Sequence, residues 1–124
     1  MKNVISWFQI PVANFERAVK FYNTILSVEL LESQAMGAKV ALFPHDMKNG
    51  AVGGALYQGA SFTPSGEGTV VMLNAGEDLS GVLSRIEQVG GSITMPKTPI
   101  NNNNGFIAYF IDSEGNRVGL HSKN

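Results

Sequence analysis

Residues 14–26 read NFERAVKFYNTIL, and residues 78–89 read DLSGVLSRIEQV. Both stretches begin with a residue type that caps helix N-termini, and their apolar residues then fall at the spacing of one helix face. Aligning the stretches without a gap pairs Phe15 with Leu79, Ala18 with Val82, Val19 with Leu83 and Tyr22 with Ile86. The chain therefore contains an internal repeat. We predict a first helix over roughly residues 14–27 and a second from Asp78 to the Gly90-Gly91 stop.

Runs rich in β-branched and aromatic residues surround each helix. We predict strands at 4–10, 28–31, 39–43 and 54–58 in the first copy, and at 69–73, 92–95, 106–111 and 117–121 in the second. Each copy is therefore a βαβββ module, and the fold class is α+β. We assign repeat one to residues 1–60, a linker to 61–67 and repeat two to 68–124, all within one domain.

The predicted helix of each module covers only one face of its four strands. Strand side chains alternate between the two faces, so the uncovered faces can curl around a shared cleft. Pairing of the two modules within one chain and exchange of modules across a dimer both satisfy this pattern.

Composition narrows the classes of function. The chain has 124 residues, 44% of them hydrophobic, which suits a single core. A net charge of −1 gives no field that would recruit nucleic acid. The chain has no Cys, which excludes disulfides and thiolate chemistry and suits the cytoplasm. We expect no membrane anchor and no signal peptide, because no apolar run approaches the roughly 20 residues of a membrane helix.

Two stretches of the sequence resemble signatures of a known family. Residues 7–22, WFQIPVANFERAVKFY, and residues 108–120, AYFIDSEGNRVGL, resemble those of the vicinal oxygen chelate superfamily. This group includes glyoxalases, bleomycin-resistance proteins and ring-cleaving dioxygenases. Its usual patterns are an Arg-Ala-x-x-Phe-Tyr helix start and an Asp-Pro-Glu-Gly-Asn turn before the last strand. The resemblance implies two tandem βαβββ modules that form a curved mixed sheet around a cleft, and it implies a homodimer.

The same resemblance implies a metal site with one ligand on the first strand and one on the last strand of each module. Carried over to this chain, the first-strand positions fall on Trp7 and Val71. The last-strand positions fall on Gly53 or Gly54 and on Gly119. None of these residues supplies the oxygen or nitrogen ligand that a divalent cation needs. We therefore predict no metal and no cofactor.

Five residues are candidates for lining the cleft, and no catalytic residue is assigned. Trp7 could offer a flat apolar wall to a ligand ring, although a sole Trp also commonly fills a core. Gln9 shares its face and could orient a polar ligand group, or it could be exposed at the sheet end. Val71 and Gly119 hold inherited positions. His121 could act as a base, an acid or a hydrogen-bond partner, or it could be an ordinary surface residue.

Two other polar groups are better explained by turns. His45 and Asp46 could form a base with its orienting carboxylate, but adjacent residues on an extended chain point apart, and an Asx-turn role for the Asp46 side chain is favoured. Residues 112–116, DSEGN, contain enough acidic side chains to suggest a ligand cluster. Their spacing fits a hairpin turn in which Gly115 adopts a positive φ.

Three functions follow from these patterns. The first is metal-independent binding of a small apolar or aromatic molecule in the cleft. The second is a metal-dependent glyoxalase-like lyase, isomerase or dioxygenase, with a shifted metal site built from Gln9, His45, Glu114 or His121. The third is a non-catalytic interaction module. We expect a cytoplasmic homodimer with a small-molecule ligand and no nucleic-acid or membrane partner.

Overall fold

The structure is a computed structural model that describes residues 3–35 and 37–124. The first module consists of β1 (Trp7–Pro11), α1 (Phe15–Leu26), β2 (Leu31–Ala35), β3 (Ala38–Leu42) and β4 (Gly53–Gln58). The second consists of β5 (Val71–Asn74), α2 (Ser80–Ile86), β6 (Ser92–Pro99), β7 (Phe106–Ile111) and β8 (Arg117–Ser122). Residues 1 and 2, where repeat one was predicted to start, lie outside the described residues.

Each module forms its own four-stranded mixed sheet. The strand orders are β1-β4-β3-β2 and β5-β8-β7-β6, with β1 parallel to β4 and β5 parallel to β8. The two orders are equivalent, so the predicted duplication of a βαβββ module is confirmed. β7 spans the predicted residues, whereas β6 continues to Pro99 instead of ending at Met95.

Helix α1 follows its predicted bounds within one residue. The Asn14 side chain accepts a hydrogen bond from the backbone N–H of Arg17 at 3.1 Å, which caps the first turn. Ser27 ends the helix in the left-handed conformation, with φ 54°. The helix buries one continuous face, which consists of Phe15, Ala18, Val19, Phe21, Tyr22 and Ile25.

The prediction of the second strand over 28–31 is wrong, because β2 covers Leu31–Ala35. Residues 28–30 instead complete the end of α1. The N–H of Val28 donates to the carbonyl of Asn23, and the N–H of Leu30 donates to the Asn23 side chain at 2.8 Å. These bonds satisfy groups at the helix C-terminus, so the segment cannot pair with β3 until Leu31.

Helix α2 is shorter than predicted. It begins at Ser80, and its capping position is Leu79 rather than Asp78, although the Asp78 carboxylate accepts from the Ser80 N–H at 2.9 Å. One 3₁₀ turn, Glu87–Val89, follows the helix, and Gly90 stops it at φ 96° as predicted. Leu79, Val82 and Ile86 are buried like their counterparts in α1, which confirms the shared register.

The two helices and the sheet faces beneath them share one core. Ile10 and Leu56 come from the first sheet, and Val118 and Leu120 come from the second. Phe21 of α1 packs against Phe110 of β7, with ring centroids 6.0 Å apart. The opposite sheet faces are therefore left for the cleft. No helix among the residues described is both long and apolar enough to cross a membrane.

The hairpin between β7 and β8 links the modules. Gly115 has φ 92°, and the Asp112 carboxylate accepts from the backbone N–H groups of Glu114 and Asn116. The turn interpretation of residues 112–116 is confirmed. The Asn116 amide then donates to the carbonyl of Pro11 at 2.8 Å, so the turn is bonded directly to the end of β1.

Candidate functional site

A cavity of about 940 Å³ lies between the edge strands β1 and β5. Its lining comes from the stretch around β1, from Ala51 and Val52, and from residues 69–74. Both modules of one chain therefore contribute to its walls. Among the described residues, none that lines this cavity carries a charge. The volume falls within the roughly 300–1,000 Å³ that is typical of small-molecule sites.

Trp7 lies on the wall of this cavity. Its side chain is 40% exposed, and the residue pairs with Gly53 of β4 in the parallel ladder. The indole meets the His45 ring edge to face, with centroids 5.8 Å apart and planes at 74°. The indole is thus supported by His45 and remains partly exposed on the cavity wall, an arrangement that suits stacking against a planar ligand.

Gln9 is exposed and lies on the same sheet face as Trp7, two residues along β1. It also lines the cavity. The hydrogen bonds found in the described part of the chain do not use its side-chain amide. The amide is therefore available to a ligand as donor and acceptor.

The strand register of the second sheet changes which residue of β5 corresponds to Trp7 of β1. The sequence aligns Trp7 with Val71, but β5 pairs Met72 with Gly119 and Val71 with Val118. Val71 packs against the shared core, whereas Met72 is 41% exposed. Met72 is therefore the counterpart of Trp7. Val71 still lines the cavity at the edge of β5.

Gly119 lies directly under Met72. A Cβ added at Gly119 would come within 2.2 Å of the Met72 sulfur and 3.2 Å of the Tyr109 ring. The thioether therefore occupies the space that a side chain at position 119 would need. Gly53, not Gly54, is the corresponding glycine of the first module, because Gly53 pairs with Trp7 while Gly54 pairs with Phe8.

The structure brings Trp7, Gln9 and Val71 together at the cavity but places His121 elsewhere. His121 is exposed, and its Nε2 lies 2.9 Å from the carbonyl oxygen of Asn104. A carbonyl only accepts, so this nitrogen carries the proton and the ring anchors the loop before β7. His121 is not among the residues that line the cavity.

His45 is not among the residues that line the cavity, but its ring contacts Trp7 on the cavity wall. The sequence favours a turn role for this segment. The His45 ring lies over Gly53, where an added Cβ would come within 2.5 Å of the imidazole Cε1. Asp46 does lie in a turn, but the turn is closed by its backbone carbonyl, which accepts from the N–H groups of Asn49 and Ala51, while its side chain accepts from the Asn49 side-chain amide. The only available signal for His45 was its position a few residues before Gly53, which does not define the direction of a loop side chain.

The residues at the inherited metal positions do not fit a divalent cation. These positions hold Trp7, Gly53, Met72 and Gly119, which offer no oxygen or nitrogen ligand. The Met72 thioether is a soft ligand that suits copper(I) better than the cations of oxygen-rich sites. Within residues 3–35 and 37–124, no three His, Cys, Asp or Glu side chains come together as a metal-binding group.

Comparison with known proteins agrees with the fold. A profile of the Glyoxalase/Bleomycin resistance protein/Dioxygenase superfamily matches residues 4–120. A search of curated protein sequences found no match. Glyoxalase I of Zea mays superposes with a TM-score of 0.66 at 20% identity over 95% of this chain, which spans only 45% of that protein.

Two other solved structures match along nearly their whole length. The fosfomycin resistance protein FosX of Listeria monocytogenes has a TM-score of 0.66 at 18% identity, covering 100% of this chain and 96% of FosX. The antibiotic binding protein TnmS3 of Streptomyces sp. CB03234 has a TM-score of 0.64 at 20% identity, covering 98% and 97% of the two chains. Through its repeated modules and the matched profile, the chain belongs to the glyoxalase/bleomycin resistance protein/dioxygenase superfamily.

Proposed function

We propose that this protein binds a small apolar or aromatic molecule, without a metal ion, in the cavity between β1 and β5. The observation that supports this proposal is the chemistry of the cavity wall, where the half-exposed indole of Trp7 lies among described residues that carry no charge. Apolar surface that leaves water on such a wall contributes about 25 cal/mol per Å². The free amide of Gln9 would orient a polar group of the ligand.

The inherited metal positions also support binding rather than metal chemistry. Trp7 and Met72 replace the first-strand ligands, and both side chains offer soft, polarisable surface to an apolar molecule. TnmS3, which shares the fold at similar length, is an antibiotic binding protein. A binding function of this kind requires no catalytic residue.

A titration with 1-methoxynaphthalene tests the proposal, followed through the indole N–H resonance of Trp7, the sole tryptophan. We expect a saturable shift of this resonance and, by calorimetry, at least a tenfold weaker affinity in Trp7→Leu. Phe62→Leu is the matched control, because Phe62 is similarly exposed at 42% but does not line the cavity. Absence of saturable binding contradicts the proposal.

The metal-free character needs its own measurement. Elemental analysis of the purified protein should find no stoichiometric transition metal, and the affinity for 1-methoxynaphthalene should be unchanged after chelation. Turnover of a glyoxal–thiol adduct or a catechol that disappears with chelator and returns with metal would instead support the metal-dependent enzyme.

We also propose that the protein is a cytoplasmic homodimer. Several apolar side chains are exposed on the described surface, among them Val4 at 89% and Leu31 at 67%, and Leu31 begins the edge strand β2. Exposed apolar groups on a sheet edge favour association with a second copy. Light scattering at micromolar concentration should give twice the 13.3 kDa mass of one chain. A monomer mass would contradict the dimer without affecting the binding proposal.

A further inference from the structure

We infer that His45 provides the hydrogen-bond acceptor of the cleft, so that the ligand is an aromatic molecule carrying a hydroxyl or N–H donor. This inference rests on the proposed binding function and specifies the chemical class of the ligand.

The first observation is the position of the ring. Gly53 pairs with Trp7, so both residues share the sheet face that borders the cleft. An added Cβ at Gly53 would come within 2.6 Å of both imidazole nitrogens. The loop after β3 therefore places the His45 ring over Gly53, which occupies an inherited ligand position. The His45 imidazole therefore places a nitrogen base near an inherited ligand position that has no ligand side chain of its own.

The second observation fixes the tautomer. Nδ1 of His45 lies 3.1 Å from the carbonyl oxygen of Phe43. Because the carbonyl only accepts, Nδ1 carries the proton, and the neutral ring presents Nε2 as an unprotonated acceptor. The hydrogen bonds of the described residues include none to Nε2. This nitrogen is not buried, since among the described residues no buried polar side-chain atom lacks a partner.

The third observation concerns the neighbouring carboxylate. Asp46 bonds through its side chain to the Asn49 amide, so its carboxylate does not hold the imidazole. The described residues that line the adjacent cavity carry no charge. Within the described part of the chain, His45 therefore has no carboxylate partner of the kind found in a catalytic dyad, and a hydrogen-bond acceptor role fits its surroundings better than strong general-base chemistry.

Trp7 connects this acceptor to the ligand. Its indole meets the imidazole with centroids 5.8 Å apart, so one aromatic ligand stacked on Trp7 can also contact the His45 ring. A ligand with a phenolic hydroxyl or a ring N–H would place its donor there. A net hydrogen bond of roughly 1 kcal/mol corresponds to about a fivefold preference for such a ligand over its methylated analogue.

The experiment compares 1-naphthol with 1-methoxynaphthalene, which share the rings and differ in the donor. By calorimetry, wild type should bind 1-naphthol about fivefold more tightly. The ratio should fall to about one in His45→Phe, which keeps a ring but loses the acceptor, and should partly return in His45→Gln. Gly53→Ala should also abolish the preference, because its Cβ displaces the imidazole, whereas the control Gly81→Ala has space for its Cβ and should keep it.

Nitrogen-15 NMR of His45 at pH 8 supplies an independent readout, and we expect the Nδ1–H tautomer. The inference is overturned by an Nε2–H tautomer or by equal donor preference in wild type and His45→Phe. If both naphthalenes bind equally well, the inference fails and the binding function stands. If neither binds, both fail.

Discussion

The guanidinium of Arg17 at the start of α1 binds the carboxylate of Glu114 in the β7–β8 hairpin, with Nε and Oε2 2.6 Å apart. The second bond joins Nη2 to Oε1 at 2.9 Å, and Oε1 also accepts from the N–H groups of Ala13 and Asn14. The Glu114 side chain is fully buried, whereas Arg17 remains 53% exposed. Residues from the two modules are thus joined at one carboxylate.

Glu114→Gln should destabilise the fold by about 2 kcal/mol at pH 7, because it removes the charge that accepts these bonds. Burial alone would raise the pKa of Glu114, but the bonds from Arg17, Asn14, Ser113 and Ala13 outweigh it and lower the pKa from 4.5 to about 2. The stabilisation is therefore complete above pH 4.5 and is lost as the pH falls toward 2.

Urea unfolding at pH 7 and pH 3 measures this effect. The difference between wild type and Glu114→Gln should shrink at the lower pH. Glu29→Gln, at an exposed position, serves as the control and should change stability little at either pH. A difference that is independent of pH would show that the charge of Glu114 is not what stabilises the contact.

Tyr22→Phe should cost about 2 kcal/mol, because it leaves a buried acceptor without one of its donors. The Tyr22 hydroxyl donates to the Asp112 carboxylate at 2.6 Å, and both residues are at most 2% exposed. Burial, followed by the charge and hydrogen bond of Asp112, raises the pKa of Tyr22 well above 10.0. Wild type should therefore lose stability as the pH rises above 10, and Tyr22→Phe should lack this component.

Denaturant unfolding between pH 8 and pH 11 checks the Tyr22 prediction. Tyr109→Phe is a suitable control, since no hydrogen bond in the described part of the chain involves the Tyr109 hydroxyl. Equal losses in the two variants would contradict a specific role for the bond to Asp112.

Gly119→Ala should destabilise the protein by about 1–2 kcal/mol through overpacking against Met72. The added Cβ meets the Met72 sulfur at 2.2 Å. A Met72→Ala background should relieve most of this cost, whereas a Val71→Ala background should not, because Val71 faces the core. Thermal or urea unfolding of the two double-mutant cycles measures the coupling. If Val71→Ala instead relieved the cost of Gly119→Ala, the sequence alignment of Trp7 with Val71 would be correct.

Ser27→Gly should stabilise the fold by about 0.5–1 kcal/mol, since a left-handed conformation is strained for a residue with a Cβ. Ser27 has φ 54° and ends α1. Ser27→Ala removes the hydroxyl but keeps the strain, so it should stay within about 0.5 kcal/mol of wild type by urea unfolding. A gain in Ser27→Ala equal to that in Ser27→Gly would assign the effect to the hydroxyl.

The helices and the duplication could be predicted because the apolar period of α1 and α2 and the Gly90 stop are local signals. β2 could not, since the apolar run after α1 is used by the bonds of Asn23 rather than by a strand. The sequence also could not predict which residues of β5 face the core and which face the cleft. Residues 69–73, TVVML, lack alternation, and a one-residue shift exchanges the two faces of a strand.

At the site, Trp7 and Gln9 followed from the family resemblance, because their strand is well marked. His45 did not, because a loop side chain takes its direction from tertiary contacts, here with Trp7 and the carbonyl of Phe43. A glycine at position 53 shows from sequence only that no side chain is present there. It does not show that the imidazole of His45 fills the space above it.

The bond between Tyr22 and Asp112 makes the two halves of this protein mutually dependent. The equivalent of Tyr22 in the second module is Ile86, which needs no polar partner. Two copies of the first half alone would bury two tyrosine hydroxyls without an Asp112 to receive them. Each half therefore supplies a buried polar group that only the other half satisfies, so separating the halves would leave both groups of this pair without their partner.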